Sequence, residues 1–478
     1  MRVLLLEANQ ASRWVGGRVG PRVHVVPAAL LGLAAFVRQA LPETEVLVVE
    51  SSLEAATDEG LGQLLKDFRP DWVGIRSVNF FLDEVRRIVT CVRTWRPVPL
   101  IVGGPIGSAL RERLFDLVPG LELVAVGEGE NTLVRLLAGE SPETIPGLWI
   151  RSTERVTGTG PAHAPTQLDE LPWPDYSLVD WQAYAGCLSY AYNQRRQGVL
   201  MTSRGCPYQC TYCFQVSRGP VRWRSAPNVL AEIEHLVHAH GIRDFYVVDD
   251  IFNLHPARAL ELMDLLTRAE LGIRLYFVNG LQVDRCDREM LERMQEAGTV
   301  WITFGIETAH PRIARMIRKE LDLDRARDLI GYAQSLGLVV NVDTMFGFPT
   351  ETADDARVTL DWLATLPHPS LLPYHFNLRG YEGTAIVEQA VAAGWDREAF
   401  LATGYLSYHD LPSGTPTFSR SEMLAHCVEY QRRFGLGCRE HVAWSVRTLS
   451  GIGYSDAEVC DMYSVLINRR VRSVQELG

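Results

Sequence analysis

The chain lacks the long apolar run that a membrane helix needs. The longest such stretch near its N-terminus, Val26 to Val37, is far short of a bilayer span. The opening Met-Arg-Val-Leu-Leu-Leu-Glu meets an acidic residue too soon for a secretory signal. Short internal repeats and low-complexity tracts are absent. So is an excess of positive charge: 47 basic residues stand against 58 acidic ones, a formal net charge of -11. That argues against a nucleic-acid backbone as the main partner, because phosphate contacts need basic surface. No G-x-G-x-x-G follows the first strand, which argues against an ordinary dinucleotide site. Nine cysteines in 478 residues do not make a disulfide framework.

Three of those cysteines are clustered. Cys206, Cys210 and Cys213 lie in the run Arg204-Gly-Cys-Pro-Tyr-Gln-Cys-Thr-Tyr-Cys-Phe-Gln215, with Tyr212 just before the third thiol. Thiolates are the usual ligands of iron–sulfur clusters, and a closed cluster takes four. Three can hold three irons of a cubane and leave the fourth open to bind and reduce a small molecule. A structural zinc site would need a fourth ligand close by. The next histidines, His235, His238 and His240, come more than twenty residues later, in a stretch that reads as helix.

Residues 1–150 alternate strand and helix patterns. Strands are expected at Val3–Glu7, Glu45–Glu50, Trp72–Arg76, Pro99–Gly103 and Leu121–Val126, with helices between them, the fourth at Leu110–Leu117. Such alternation predicts a doubly wound, Rossmann-like parallel sheet, with ligands beyond the carboxyl ends of its strands. Those ends carry Gly103-Gly104-Pro105 and Gly127-Glu128-Gly129-Glu130. Glycine there admits a ligand close to the backbone, or simply makes a tight turn. Residues 151–195, with Leu171-Pro-Trp-Pro-Asp-Tyr176, read as a linker. From Val199 the alternation resumes through six strands, the last at Pro373–Leu378. That predicts a partial (β/α)6 TIM-type barrel over 196–395, with functional residues at the strand C-termini. Residues 396–478 read as mostly helical. Trp395, Phe400, Tyr405, Tyr408 and His409 either cap the barrel or form hydrophobic core.

Residues 195–385 resemble the radical S-adenosylmethionine (SAM) core. The resemblance rests on the cysteine run, Val247-Val-Asp-Asp-Ile-Phe252, Gly305-Ile-Glu-Thr308 and Gly347-Phe-Pro-Thr-Glu351. Where that family has a late Pro-Gly-Thr, this chain has Glu382-Gly-Thr384. Residues 1–150 resemble the N-terminal domain of the cobalamin (B12)-dependent class. The matching pieces are Pro27-Ala-Ala-Leu-Leu-Gly32, Gly103-Gly-Pro105 and Gly127-Glu-Gly-Glu130. The D-x-H-x-x-G motif, whose histidine is the lower cobalt ligand in other cobalamin proteins, is absent. The one histidine in the corresponding first loop is His24, and no histidine is expected on the cobalt.

The resemblance implies a [4Fe-4S] cluster on Cys206, Cys210 and Cys213, with SAM chelated by the open iron. It implies SAM contacts from Tyr212, Asp249, Asp250, Gly305 and Glu307. It implies cobalamin, its cobalt facing the SAM site, lined by Ser77, Asn79, Gly103, Gly104, Gly127, Glu128, Gly129 and Glu130; Asn9 also lies at a strand end. Each polar residue keeps an ordinary alternative. One of Asp249 and Asp250 can cap the following helix. Glu307 can hold the ribose diol, or pair with Arg312 or Arg315. The activity implied is C-methylation of an unactivated carbon, by a 5′-deoxyadenosyl radical and methylcobalamin, with no protein general base. A radical cyclisation or rearrangement is the alternative. A tRNA methylthiotransferase is disfavoured, since the first domain has only Cys91, mid-helix, for a second cluster. The expected partners are a small-molecule substrate and an electron donor such as flavodoxin or ferredoxin. A reducing cytoplasm suits an open cluster.

Overall fold

The computed structural model describes all residues except 10–23, 78–80, 154, 217–219, 369–374, 406–412, 436, 468–470 and 478. The chain divides into two compact units. One is built from Met1–Arg13, Val25–Gly186 and Phe214–Arg224. The other is built from Trp14–His24, Cys187–Cys213 and Ser225–Gly478.

The first unit holds a seven-stranded sheet in the order β2-β1-β3-β4-β5-β6-β7. These strands are β1 (Arg2–Glu7), β2 (Glu45–Glu50), β3 (Trp72–Arg76), β4 (Leu100–Gly103), β5 (Leu123–Ala125), β6 (Leu148–Arg151) and β7 (Val156–Gly158). The first five are parallel, as the alternation predicts. Val3, Leu4, Leu5 and Leu6 are all buried, as a strand covered on both faces by helices requires. β6 and β7 add to the edge in antiparallel pairing, partly within the stretch that reads as linker. The order 2-1-3 reverses direction at β1, so a crevice opens between the carboxyl ends of β1 and β3. The helix after β4 starts at Gly104, not at Leu110, with Pro105 in its first turn. Proline suits that place because its missing N–H has no helical acceptor to lose.

The second unit holds six parallel strands, each paired to the next in chain order. They are Gln197–Leu200, Asp244–Val247, Arg274–Leu281, Thr299–Glu307, Val339–Phe346 and His375–Asn377. This is the expected partial barrel. The helices Arg439–Gly451 and Asp456–Ile467 are built into its core. Val442, Leu449, Val459 and Met462 pack with Tyr246, Tyr276, Trp301 and Val339 of the strands. Trp395 and Phe400 pack with Ile313, Phe348 and Leu378, so both are core residues. Tyr408 and His409 lie outside the described residues. Among the described residues, no helix is long and apolar enough to cross a membrane.

Candidate active site

The cysteine loop follows the first barrel strand and is pinned by backbone. Thr211 N–H donates to the Ile317 carbonyl (3.1 Å), and Ile386 N–H donates to the Thr211 carbonyl (2.9 Å). Cys213 N–H donates to the Cys210 carbonyl (3.2 Å), which tightens the turn between the last two thiols. Burial pushes all three thiols up; Asp250 and the neighbouring thiols push Cys206 and Cys213 further, and Glu307 pushes Cys210, against the pull of Lys319. Cys213 reaches about 12, although its residue is exposed at the edge of the loop. Three crowded thiols that resist ionisation are the setting in which bound iron displaces protons. Among the described residues, no three His, Cys, Asp or Glu side chains converge on a single ion.

The two aspartates after the second strand separate clearly. Asp249 is buried and its carboxylate is consumed. It accepts from Thr202 N–H (2.5 Å), Thr202 Oγ1 (2.5 Å) and Ser203 Oγ (2.7 Å). It locks the second strand onto the first, just before the cysteines. Asp250 accepts one bond, from Gly205 N–H (3.2 Å), at the start of the cysteine loop. Burial of its carboxyl and the charge of Asp249 push its pKa up. Neither caps the following helix, whose N-cap is His255, through Nδ1 and the Arg258 N–H.

The fourth strand ends in a β-bulge between Gly305 and Glu307, and Glu307 sits at φ +64°. A left-handed glutamate at a bulge is strained, and such strain commonly marks a site where a side chain is re-aimed. Glu307 pairs with Lys319 (2.8 Å), not with Arg312 or Arg315. Arg312 instead binds Asp355 and Thr350. Lys319 Nζ also reaches the Tyr212 hydroxyl (3.3 Å). Burial lowers the Lys319 pKa, but Glu307 more than offsets this and holds the ammonium charged. Gly305 makes the room: a Cβ there would lie 2.9 Å from Lys319 Nζ and 3.0 Å from Glu307 Oε1. In register with Gly305 on the fifth strand is Asp343. Burial and the Glu307 charge push Asp343 up to about 7.

Lys319 and Asp343 are the residues that sequence patterns missed. Lys319 stands alone in a stretch rich in arginine, Arg312-Ile-Ala-Arg-Met-Ile-Arg-Lys319, with no motif to single it out. Asp343 stands inside an apolar strand, Val339-Val-Asn-Val-Asp-Thr-Met-Phe346. A lone acid at a core position was its available signal.

In the first unit, the crevice ends are mostly tied off. Ser77 is buried, with its Oγ donating to the Ala8 carbonyl (3.2 Å) and accepting from Phe81 N–H (3.2 Å). It therefore clamps β1 to β3 at the switch point. Arg76 pairs with Glu7 (2.7 Å), and its stem rests on Gly104. Gly104 is at φ +75° and Gly127 at φ +84°, which glycine takes without strain. Gly103 abuts Ala125, whereas a Cβ on Gly129 would meet open space. Glu128 is bound by Arg222. Glu130 begins the next helix, in its acidic first turn. Asn79 lies outside the described residues. His24 is buried in the second unit, its N–H bonded to the Leu188 carbonyl and its carbonyl to Gln197.

Comparisons with known proteins find matches to both parts of the chain. The radical SAM superfamily model matches residues 200–363, and the B12 binding domain model matches residues 13–137. An uncharacterized methyltransferase of Pyrococcus horikoshii is 28% identical over 404 residues, 82% of this chain and 83% of that protein. The anaerobic magnesium-protoporphyrin IX monomethyl ester cyclase of Rubrivivax gelatinosus is 23% identical over 377 residues, 76% of this chain and 66% of that one. The radical SAM methyltransferase TsrM from Kitasatospora setae, solved with cobalamin and a [4Fe-4S] cluster, shares the fold. Its TM-score is 0.65 at 21% identity, covering 82% of this chain and 75% of that one. The chain carries a radical SAM domain and a B12 binding domain, and its cofactors are a [4Fe-4S] cluster, SAM and cobalamin.

Proposed function

We propose that this enzyme is a C-methyltransferase that acts on an unactivated carbon of a small molecule. The observation that carries the reading is the likeness to a methyltransferase over four-fifths of both chains. When bound, the cofactors supply reductive cleavage of SAM and a transferable methyl group. The protein's own share is binding, alignment and exclusion of water. Cys206, Cys210 and Cys213 hold the cluster. Asp250 has one oxygen left for the SAM ammonium, a charge-assisted contact. Lys319 offers its ammonium to the SAM carboxylate beside the cysteine loop. Glu307 is committed to Lys319, so the ribose hydroxyls fall to Asp343, to which no hydrogen bond is found among the described residues. A one-electron donor of the flavodoxin or ferredoxin type completes the system in a reducing cytoplasm.

The likeness to a cyclase over three-quarters of the chain favours a second reading, ring formation with the same cofactors. One experiment separates the two. The anaerobically reconstituted enzyme is given cobalamin, SAM deuterated in its methyl group, and candidate substrates. Methylation adds a labelled methyl to the product by mass spectrometry. A product that loses hydrogen and gains no label refutes methylation and supports cyclisation.

A further inference from the structure

We propose that Lys319 tunes the cluster electrostatically: its largely buried ammonium, held beside the cysteine loop, makes the [4Fe-4S] cluster easier to reduce. The proposal rests on the cluster assignment above. The helix Pro311–Met316 ends in a turn, Ile317-Arg318-Lys319, with Arg318 at φ +56°. That turn follows the cysteine loop residue by residue. Thr211 N–H donates to the Ile317 carbonyl (3.1 Å), and Arg318 Nη1 donates to Gln209 Oε1 (3.3 Å). Cys210 Sγ lies 3.9 Å from the Arg318 carbonyl. Lys319 comes next, its Nζ 3.3 Å from the hydroxyl of Tyr212, the residue before the third thiol. Its backbone N–H donates to the Ala314 carbonyl (2.9 Å), and Glu307 holds its ammonium at 2.8 Å. The side chain is therefore fixed at both ends, and only 15% of it is exposed.

Reduction adds one electron, and so one negative charge, to a cluster held by thiolates. A fixed positive charge nearby stabilises the reduced form more than the oxidised one, which is how charge and solvent exposure set such potentials. The effect is strong only where water does not screen it. Lys319 meets that condition, whereas the side chain of its neighbour Arg318 is exposed. Glu307 is the counter-charge, and it would cancel Lys319 if it acted equally on the thiols. Burial is the main push on all three thiols, but Lys319 pulls each of them down. At Cys210, where Glu307 pushes up as well, the pull of Lys319 is the larger. The ion pair thus presents its positive end to the loop. Asp250 pushes Cys206 and Cys213 the other way, so Lys319 offsets part of a carboxylate charge that opposes the incoming electron.

Lys319 acts here through space, not as a ligand, and the test reads a potential rather than turnover. The full chain is reconstituted anaerobically with iron and sulfide. It is then titrated with dithionite, which supplies the electron and is itself oxidised, and the reduced cluster is counted by paramagnetic resonance. SAM is left out, because its carboxylate would cover the same ammonium. Lys319→Gln keeps a hydrogen-bond donor for Glu307 but removes the charge. Its cluster should be about tenfold harder to reduce, a fall of about 59 mV for a one-electron couple. Lys319→Arg keeps the charge and should reduce like wild type. Arg318→Gln removes an exposed charge from the same turn and should also reduce like wild type. A lysine that only braced the loop would leave the potential unmoved. An unchanged potential in Lys319→Gln, or an equal fall in Lys319→Arg or Arg318→Gln, overturns the proposal. Loss of the cluster from Lys319→Gln overturns it too, since the lysine would then hold the loop rather than tune the iron. A wild-type chain that takes up no iron overturns the cluster assignment instead.

Discussion

The two parallel sheets end in opposite ways. At the strand ends of the first unit the charges are spent on one another. Glu7 holds Arg76, Ser77 clamps β1 to β3, and Glu128 holds Arg222. Gly104 and Gly127, both at positive φ, shape the backbone of two of these turns. At the strand ends of the second unit stand three thiols, Asp250 with one bond, Asp343 pushed up to about 7, and a strained Glu307 paired with Lys319. The difference follows from the ligands. A large macrocycle is recognised largely by shape and close approach. A small charged cofactor and a cluster are recognised by specific donor atoms.

The largest expected effect breaks the second half of that comparison. Replacing Cys206, Cys210 and Cys213 with Ala should remove all iron and all SAM cleavage, measured by iron analysis and 5′-deoxyadenosine release. Substituting Cys286 or Cys460, both buried and away from the loop, should leave the cluster intact. A triple variant that still reconstitutes with about four irons would overturn the assignment.

The next pair sharpens the first half. Gly104→Val adds a Cβ 2.8 Å from Arg76 Cγ at φ +75°, so it should cost both cobalamin and about 1–3 kcal/mol of stability. Gly129→Val has no such penalty, with φ at -96° and no atom within 4 Å of the new Cβ. It should fold normally by thermal melting and lose only cobalamin. Normal cobalamin binding by Gly129→Val would show that the crevice does not approach this turn.

The aspartates test whether a strand-end carboxylate is structural or free. Asp249→Ala strips partners from a buried N–H and two hydroxyls, so it should destabilise by about 3 kcal/mol in a denaturant titration. Asp250→Ala should change stability little and weaken SAM binding by isothermal titration. The reverse pattern would exchange their roles.

Much of this was legible before any coordinates. Glu45–Glu50, Trp72–Arg76 and Val339–Phe346 fall on the expected residues, because buried parallel strands read as unbroken apolar runs between turn residues. The cysteine loop was legible from spacing alone. The helix Ala353–Leu363 between the last two strands went unread, although Thr352 and Asp355 spell out its capping box. β6 and β7 went unread because a short antiparallel edge carries little apolar signal: Val156 is 40% exposed. The partners of Glu307 and Asp249 were illegible for a deeper reason. A sequence shows which residues can ionise, but the bulge at Gly305 and the reach of Lys319 decide which of them meet.

The smallest effect concerns Glu351, a carboxyl that belongs to the second sheet but is spent like those of the first. Its Oε2 accepts from Gly347 N–H (2.5 Å) and Phe348 N–H (3.0 Å), closing the turn after the fifth strand. Its Oε1 is buried and has no hydrogen-bond partner among the described residues. Burial pushes its pKa from 4.5 to about 8, against the pull of those two donors. The folded protein therefore keeps a proton that the unfolded chain releases near 4.5. Between those values the folded state binds more protons, so stability must fall as pH rises, and level off above 8. The slope cannot exceed about 1.4 kcal/mol per pH unit for one group, so between pH 7 and 8 the loss should be about 1 kcal/mol. Glu351→Gln keeps an acceptor for both N–H groups and cannot ionise. It should be less stable than wild type at pH 5, where its buried amide lacks a partner, and close the gap by pH 9. Denaturant titrations of both proteins across that range check the sign. Parallel curves would mean that Glu351 is ionised in the fold.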